Sequence, residues 1–227
     1  MTAKPDLYTT KFAQFVRTNA EKDPTPPTDL IELLIESFLL TDASCDQTAH
    51  AMSRIRHDMV DFNDLRVSLV KEMVETIGVR YPEAHDRCVL LRRALHDIFK
   101  RQHKVSLEHL TTIPKRDAKS YIENLDGIPS FVAARVCLLG LNIHAVPMDR
   151  TTIRLLVESD ILTAAGSAAD ISQLMLRHVR AEDAVSTHVA IRKAVDRYLV
   201  SGRPARVGKT ARKTTASPSP SKRSSRK

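Results

Sequence analysis

The sequence predicts an all-α protein, and three observations carry that prediction. Apolar residues recur at helical spacing along nearly the whole chain. No stretch alternates convincingly at period two, and no paired turn signals mark hairpins. Capping patterns, prolines and glycines punctuate the apolar runs where helices would start and stop.

In chain order, Pro26-Pro27 ends a loose N-terminal segment. Asp29 with Glu32 looks like a capping pair. It opens a helix in which Leu30, Ile31, Leu33, Leu34, Ile35, Phe38, Leu39 and Leu40 leave little polar face, so that helix is central and buried on most sides. Ser44 with Gln47 is a second capping signature, leading to Ala51, Met52 and Ile55. Asn63 or Asp64 starts a third helix through Val67, Val70, Val74 and Ile77, closed by Gly78. Pro82 suits the first turn of a long amphipathic helix carrying Val89, Leu91, Leu95, Ile98 and Phe99. A short helix begins at Ser106 and is closed by Pro114, and another carries Ala118, Tyr121 and Ile122. Beyond Asp149, helical stretches fall near 150–158, 168–179 and 183–199. The expectation is nine or ten helices without internal repeats, with a boundary near Asn142 to Pro147.

Composition narrows the function classes. The chain has 227 residues and is 42% apolar, enough for a real core. No run approaches the ~20 apolar residues of a membrane span, and Met1 to Lys22 does not look like a signal peptide. Cys45, Cys88 and Cys137 are far apart, with no CxxC or Cys/His cluster, so neither a metal nor a disulfide framework is expected. They read as buried thiols in a reducing compartment. The net charge of +8 is unevenly placed: nine of the 35 basic residues and none of the 27 acids lie in 201–227, leaving the body near neutrality. That tail is rich in Ser, Thr, Pro, Ala, Lys and Arg and reads as disordered. Such an arm attracts polyanions by counterion release, or serves simply as a solubilising tail.

The most informative stretch is Leu125 to Asp149. Gly127 marks a tight turn between two helices, where a glycine permits positive φ and close approach of another backbone. The next helix starts at Pro129 or Ser130, and its unpaired N–H groups can hold a phosphate. By itself this is also how an ordinary helix–helix turn reads. Asp149, after Pro147-Met148, reads singly as the N-cap of the helix through Leu156. Turn and acid together point to an enzyme acting on nucleic acid, provided the carboxylate is reachable from solvent beside the turn.

Here the chain resembles the helix-hairpin-helix DNA glycosylases, the superfamily of endonuclease III and the adenine and alkylation-damage glycosylases. Leu125, Gly127, Ile128 and Ala133 match the motif Leu-Pro-Gly-hydrophobic-Gly-x-x-x-Ala, and Pro147 with Asp149 matches the later Pro-Val-Asp. A weaker likeness runs from about Leu30 to Leu199. The resemblance implies two all-α lobes with the DNA cleft between them: a helical barrel of residues 29–142 carrying the hairpin, and a lobe of residues 1–28 and 143–200, followed by the basic tail 201–227. It implies base-excision repair on double-stranded DNA by a monomer, at the nucleoid in the cytoplasm, or in the nucleus of a eukaryote. Several positions depart from the motif. Phe131 stands where bifunctional members have the lysine that attacks C1′, so lyase chemistry is not expected. Pro129 replaces the second glycine, and Asp126 replaces the proline and puts a negative charge where a phosphate would dock. Asp42 lies about where many members have a glutamine that fills the gap left by the extruded base. The iron–sulfur loop has no counterpart, and no cofactor is expected.

The implied activity is a monofunctional DNA N-glycosylase. A flipped base would meet Phe131 in its pocket. Asp149 would stabilise the oxocarbenium-like state or orient the attacking water. Gly127, Ile128 and Ser130 would offer backbone groups to DNA. Asp42, Asp126, Pro129 and the near-neutral body favour the alternative, a catalytically silent helix-hairpin-helix DNA-binding protein. A third reading is an unrelated helical protein with a sticky tail. His144, near Asp149, reads as a structural histidine. Arg92-Arg93 and Lys115-Arg116 read as solvated helix faces, although the latter pair could reach phosphate. No phosphate loop or dinucleotide fingerprint is present.

Overall fold

The computed structural model describes residues 7–21, 29–163 and 166–202. The loose segment at Pro26-Pro27 and the basic tail beyond residue 202 lie outside the described residues. Within them the protein is helical, with eleven α-helices, one short 3-10 turn and a single isolated bridge, Leu7 to Leu162.

The first helix departs from expectation. α1, Thr9–Asn19, is regular and packs on α11, Ala184–Ser201, burying Phe12 and Phe15. Two phenylalanines one turn apart in a polar segment find their partner only at the far end of the chain. The following helix, α2 (Leu30–Leu40), is capped as expected, Asp29 accepting the Ile31 N–H at 2.8 Å. It is buried on nearly every side and touches α3, α6 and α8. α3, Cys45–Asp58, carries the Ser44/Gln47 capping box.

The third predicted helix is two helices, α4 (Phe62–Val67) and α5 (Val70–Ile77). Its cap is Asp61, not Asn63 or Asp64: the Asp61 carboxylate accepts the N–H groups of both. The break has a local cause. The Ser68 hydroxyl donates back to the Asp64 carbonyl at 2.8 Å, and Glu72 accepts the Leu69 N–H at 2.8 Å to start afresh. α6, Ala84–Gln102, is the long helix. It is followed by a 3-10 turn, Glu108–Thr111, in place of the expected short helix. Pro114 then serves as the N-cap of α7, Lys115–Glu123.

α8, Ser130–Leu139, crosses close over α2. A Cβ on Gly140 would lie 2.4 Å from a methyl of Leu30 and 2.9 Å from one of Leu33, so a side chain there would force these leucines of α2 to shift. α9 (Arg150–Glu158) packs on α10 and α11. α10 (Ala168–Leu176) packs on α8 and ends short of the expected 179.

Candidate active site and nucleic-acid interface

The α7–α8 turn is built against α6. Leu125 is buried, and Gly127 has φ +77°. A Cβ on Gly127 would lie 3.1 Å from the Leu90 carbonyl oxygen and 3.2 Å from the Arg93 Cβ. The glycine therefore satisfies a left-handed backbone and a tight contact with α6 together. Asp126 is exposed, and Arg93 grips its carboxylate through Nε at 3.1 Å and a second nitrogen. This hydrogen-bonded guanidinium holds the Asp126 carboxyl below its usual range. The charge that would repel a phosphate is thus matched by a cation on the neighbouring helix. The Asp126 N–H donates to Asp97, and Arg101 joins Asp97 to the Asn124 carbonyl, so the turn is braced on three sides.

The start of α8 is left open. Its N-cap is Pro129, no side chain caps it, and no acid lies in its first turn. Ser130 is exposed and Ile128 and Gly127 are half-buried. The first N–H groups of such a helix have no intrahelical partner, and the dipole favours an anion there.

Asp149 is placed differently from what a hydrolytic carboxylate requires. It caps α9 as read, with Oδ1 accepting the Thr152 N–H at 2.7 Å. Its Oδ2 accepts the Asp42 N–H and an Arg192 N–H, each at 3.0 Å. The side chain is 0% exposed, and that of Arg192 is 6% exposed. Solvent access beside the turn, which the sequence reading needed, is therefore not found. Asp42 is likewise committed. At φ +51° it turns its carboxylate onto α9, accepting the Thr151 N–H at 2.6 Å and facing Arg150 at 3.4 Å. Its carboxylate closes the helix end from the side and does not project as a gap-filling wedge.

Phe131 is buried, with its ring 6.4 Å from that of His188 and the Arg192 guanidinium carbon 5.9 Å from its centroid. Burial first, then Arg135 and Arg192, push the His188 pKa well below its usual value, so its ring is neutral. Cys88 and Cys137 are buried as expected, but Cys45 is exposed. Burial raises the thiols of Cys137 to about 11 and Cys88 to about 12, and desolvation together with the Asp196 carboxylate raises that of Cys45 to about 11, so none supplies a thiolate at neutral pH. Among the described residues no three His, Cys, Asp or Glu side chains are grouped to hold a metal, and no helix is long and apolar enough to cross a membrane. His144 faces a cavity of about 250 Å³ beside Ser130 and Lys119, and its buried Nε2 has no partner among the described residues.

Sequence reasoning missed Arg192, His188 and Arg135. They carried a signal. His188 and Arg192 sit on the inward stripe of α11 with Ala184, Ile191 and Val195, and Arg135 follows Phe131 by one turn of α8. A cation inside an apolar stripe needs an acidic partner, and here those partners are the buried Asp149 and the half-buried Glu36.

No family model and no curated protein matches the sequence. Solved structures do. An endonuclease III trapped as a covalent intermediate with DNA superposes with a TM-score of 0.61 at 12% identity, over 82% of this chain and 85% of its own. The H. pylori 3-methyladenine DNA glycosylase bound to 1,N6-ethenoadenine gives 0.62 at 9% identity, over 86% and 99%. A thermostable thymine-DNA glycosylase gives 0.58 at 16% identity, over 87% and 88%. The fold is that of the helix-hairpin-helix DNA glycosylases. The α7–α8 turn, the start of α8 and the Asp149 cap of α9 all lie within this fold. In this chain Phe131 lies buried in the first turn of α8, and Asp149 is held by Arg192.

Proposed function

We propose that this chain is a DNA-binding protein on the glycosylase fold that is catalytically silent at Asp149. The observation that carries the reading is the buried Arg192–Asp149 pair. Stabilising an oxocarbenium-like state needs an uncompensated negative field near C1′, and activating water needs a free lone pair and a route for the water. Here Arg192 cancels the charge, the two carboxylate oxygens accept three hydrogen bonds, and no solvent touches the side chain. Duplex DNA is met instead at the Gly127 turn. Backbone N–H groups around Ile128 and Ser130 meet a phosphate, and the basic residues of 203–227 add sequence-independent attraction.

One observation favours a second reading, monofunctional hydrolysis of a damaged base. A cavity of about 520 Å³ is lined by Arg192 but not by Asp149, so a ligand there could draw the guanidinium off Asp149. In that reading Phe131 lines the base pocket, and Asp149 acts without lyase chemistry.

Duplexes bearing uracil, alkylated or oxidised bases, incubated with the protein and then treated with alkali, separate the two. The silent reading expects binding without abasic sites. Abasic sites made by wild type and lost in Asp149→Asn would overturn it in favour of hydrolysis. Deleting residues 203–227 should weaken DNA binding but not abolish it. Loss of all affinity would leave the helical body without a role on DNA.

A further inference from the structure

Three side chains between α4 and α6 form a cluster that the site above does not use. Arg92 and His96 lie one turn apart on α6, on a different face from the one that holds the Gly127 turn, and Arg66 meets His96 from α4. All three are half-buried. The Arg66 guanidinium stacks on Phe99, its carbon 3.9 Å from the ring centroid, and its Nε donates to Asn63 Oδ1 at 2.9 Å. Arg92 Nε donates to the Ser68 carbonyl at 3.0 Å, at the break between α4 and α5. Both side chains are thus fixed through their inner nitrogens, which leaves outer N–H groups of each fork to spare.

The partners of these two cations are neutral. On α6, Arg93 and Arg101 are matched by the carboxylates of Asp126 and Asp97. Arg66 and Arg92 meet only an amide oxygen, a ring nitrogen and a backbone carbonyl. An arginine N–H can only donate, so His96 Nδ1, 3.4 Å from Arg66, accepts, and the ring proton lies on Nε2. Burial first, then Arg92 and Arg66, lower the His96 pKa, so the ring is neutral at pH 7. The C-terminal dipole of α4 offsets only a fraction of the two charges. Two guanidinium forks and one ring N–H therefore stand together with about two positive charges unmatched. Such forks fit the oxygens of a phosphate. A phosphomonoester carries about −1.5 to −2 at pH 7, whereas a phosphodiester or a carboxylate carries one charge and would leave half of the cluster unmatched.

We propose that Arg66, Arg92 and His96 form a binding site for a phosphomonoester, carried by a nucleotide or by the end of a DNA strand. The two forks grip its terminal oxygens, and His96 Nε2–H donates a further hydrogen bond. The choice of a nucleotide as carrier rests on the nucleic-acid reading above. The choice of a phosphomonoester rests on the cluster alone.

The test follows the arginine Nε–H and histidine ring signals of the full chain by NMR. The ligands are inorganic phosphate, deoxyadenosine 5′-monophosphate, its methyl diester and deoxyadenosine. Inorganic phosphate and the monophosphate should shift Arg66, Arg92 and His96 together. The diester should bind about tenfold more weakly than the monophosphate, and deoxyadenosine should leave all three unmoved. The bound dianion should raise the His96 pKa, which arginines with a merely structural role would not bring about. Arg92→Gln keeps an N–H for the Ser68 carbonyl and should weaken monophosphate binding about tenfold, with an unchanged melting temperature showing that α4 and α6 stay folded. No shift at the three residues in the wild type, equal affinity for monoester and diester, or undiminished binding in folded Arg92→Gln would each overturn the proposal. A phosphoserine peptide bound more tightly than the monophosphate would overturn the nucleotide as carrier. Tighter binding of a 5′-phosphorylated duplex than of its 5′-hydroxyl counterpart would assign the phosphate to a DNA end, and monophosphate binding without that difference would assign it to a free nucleotide. Phosphate binding at the cluster without any DNA binding would sink the DNA reading alone. DNA binding with no phosphate at the cluster would sink the cluster alone.

Discussion

The N-termini of α8 and α9 are finished in opposite ways. That of α8 begins behind a proline, with an exposed serine and no carboxylate. That of α9 is closed by Asp149 from its cap position and by Asp42 from a neighbouring segment, and Arg192 balances the charge beneath. Both helix ends carry the same backbone dipole and the same unpaired N–H groups. The difference teaches where an external anion can still be taken. At α9 the protein supplies its own anions, and at α8 it supplies none.

The contrast can be broken most severely at Arg192. Arg192→Ala leaves a buried carboxylate without its cation and should cost about 3–5 kcal/mol in chemical denaturation. Asp149→Asn combined with Arg192→Met should come much closer to wild type. A loss below about 1 kcal/mol for Arg192→Ala would mean that the pair is not what seals α9.

At the other helix, Gly127→Ala must place a Cβ at positive φ and against the α6 backbone. A loss of about 1–3 kcal/mol is expected, together with weaker DNA binding, because the turn that aims α8 is displaced. Unchanged stability would show that the turn relaxes freely.

Acid sharpens the comparison further. The folded chain holds His188 neutral while the unfolded chain protonates it near its ordinary 6.5. The unfolded state therefore binds the extra proton below that pH, and stability falls as pH drops through 6.5, by up to about 1.4 kcal/mol per pH unit. Above 6.5 the contribution is complete and flat. His188→Gln should remove that part of the slope between pH 6.5 and 5, and an identical slope would assign the acid sensitivity to other groups.

The smallest change is expected from Ser130→Glu. An acid in the first turn of α8 should stabilise the helix by about 0.3–1 kcal/mol and weaken DNA binding about fivefold, by filling with a side chain the place a phosphate would occupy. Opposite signs in one variant are the diagnostic result. DNA affinity unmoved by Ser130→Glu would remove the start of α8 from the interface.

Much of the helical framework was legible because its signals are local. Asp29, the Ser44/Gln47 box and the Asp149 cap each act within one turn of their own helix, and all three are found. The break at Ser68 was missed because the side chain's return to the Asp64 carbonyl competes with an apolar pattern that runs on regardless. The first helix was missed for a different reason. Phe12 and Phe15 are too few to announce a helix, and their burial depends on α11. At the site, Gly127 was legible as a turn, but its contact with Leu90 and Arg93 was not. Arg192 lies on the inward face of a helix whose existence was plain, but its partner Asp149 is 43 residues away in sequence.

By itself, then, the sequence determined a helical fold, the caps at Asp29, Ser44 and Asp149, and the glycine turn, since each depends on neighbours within a few residues. Only the tertiary structure decided what that acid can do. Its other two hydrogen bonds come from Arg192, 43 residues away, and Asp42, 107 residues away. Whether a carboxylate faces water or a buried guanidinium is set by which helices pack together, and no local pattern encodes that.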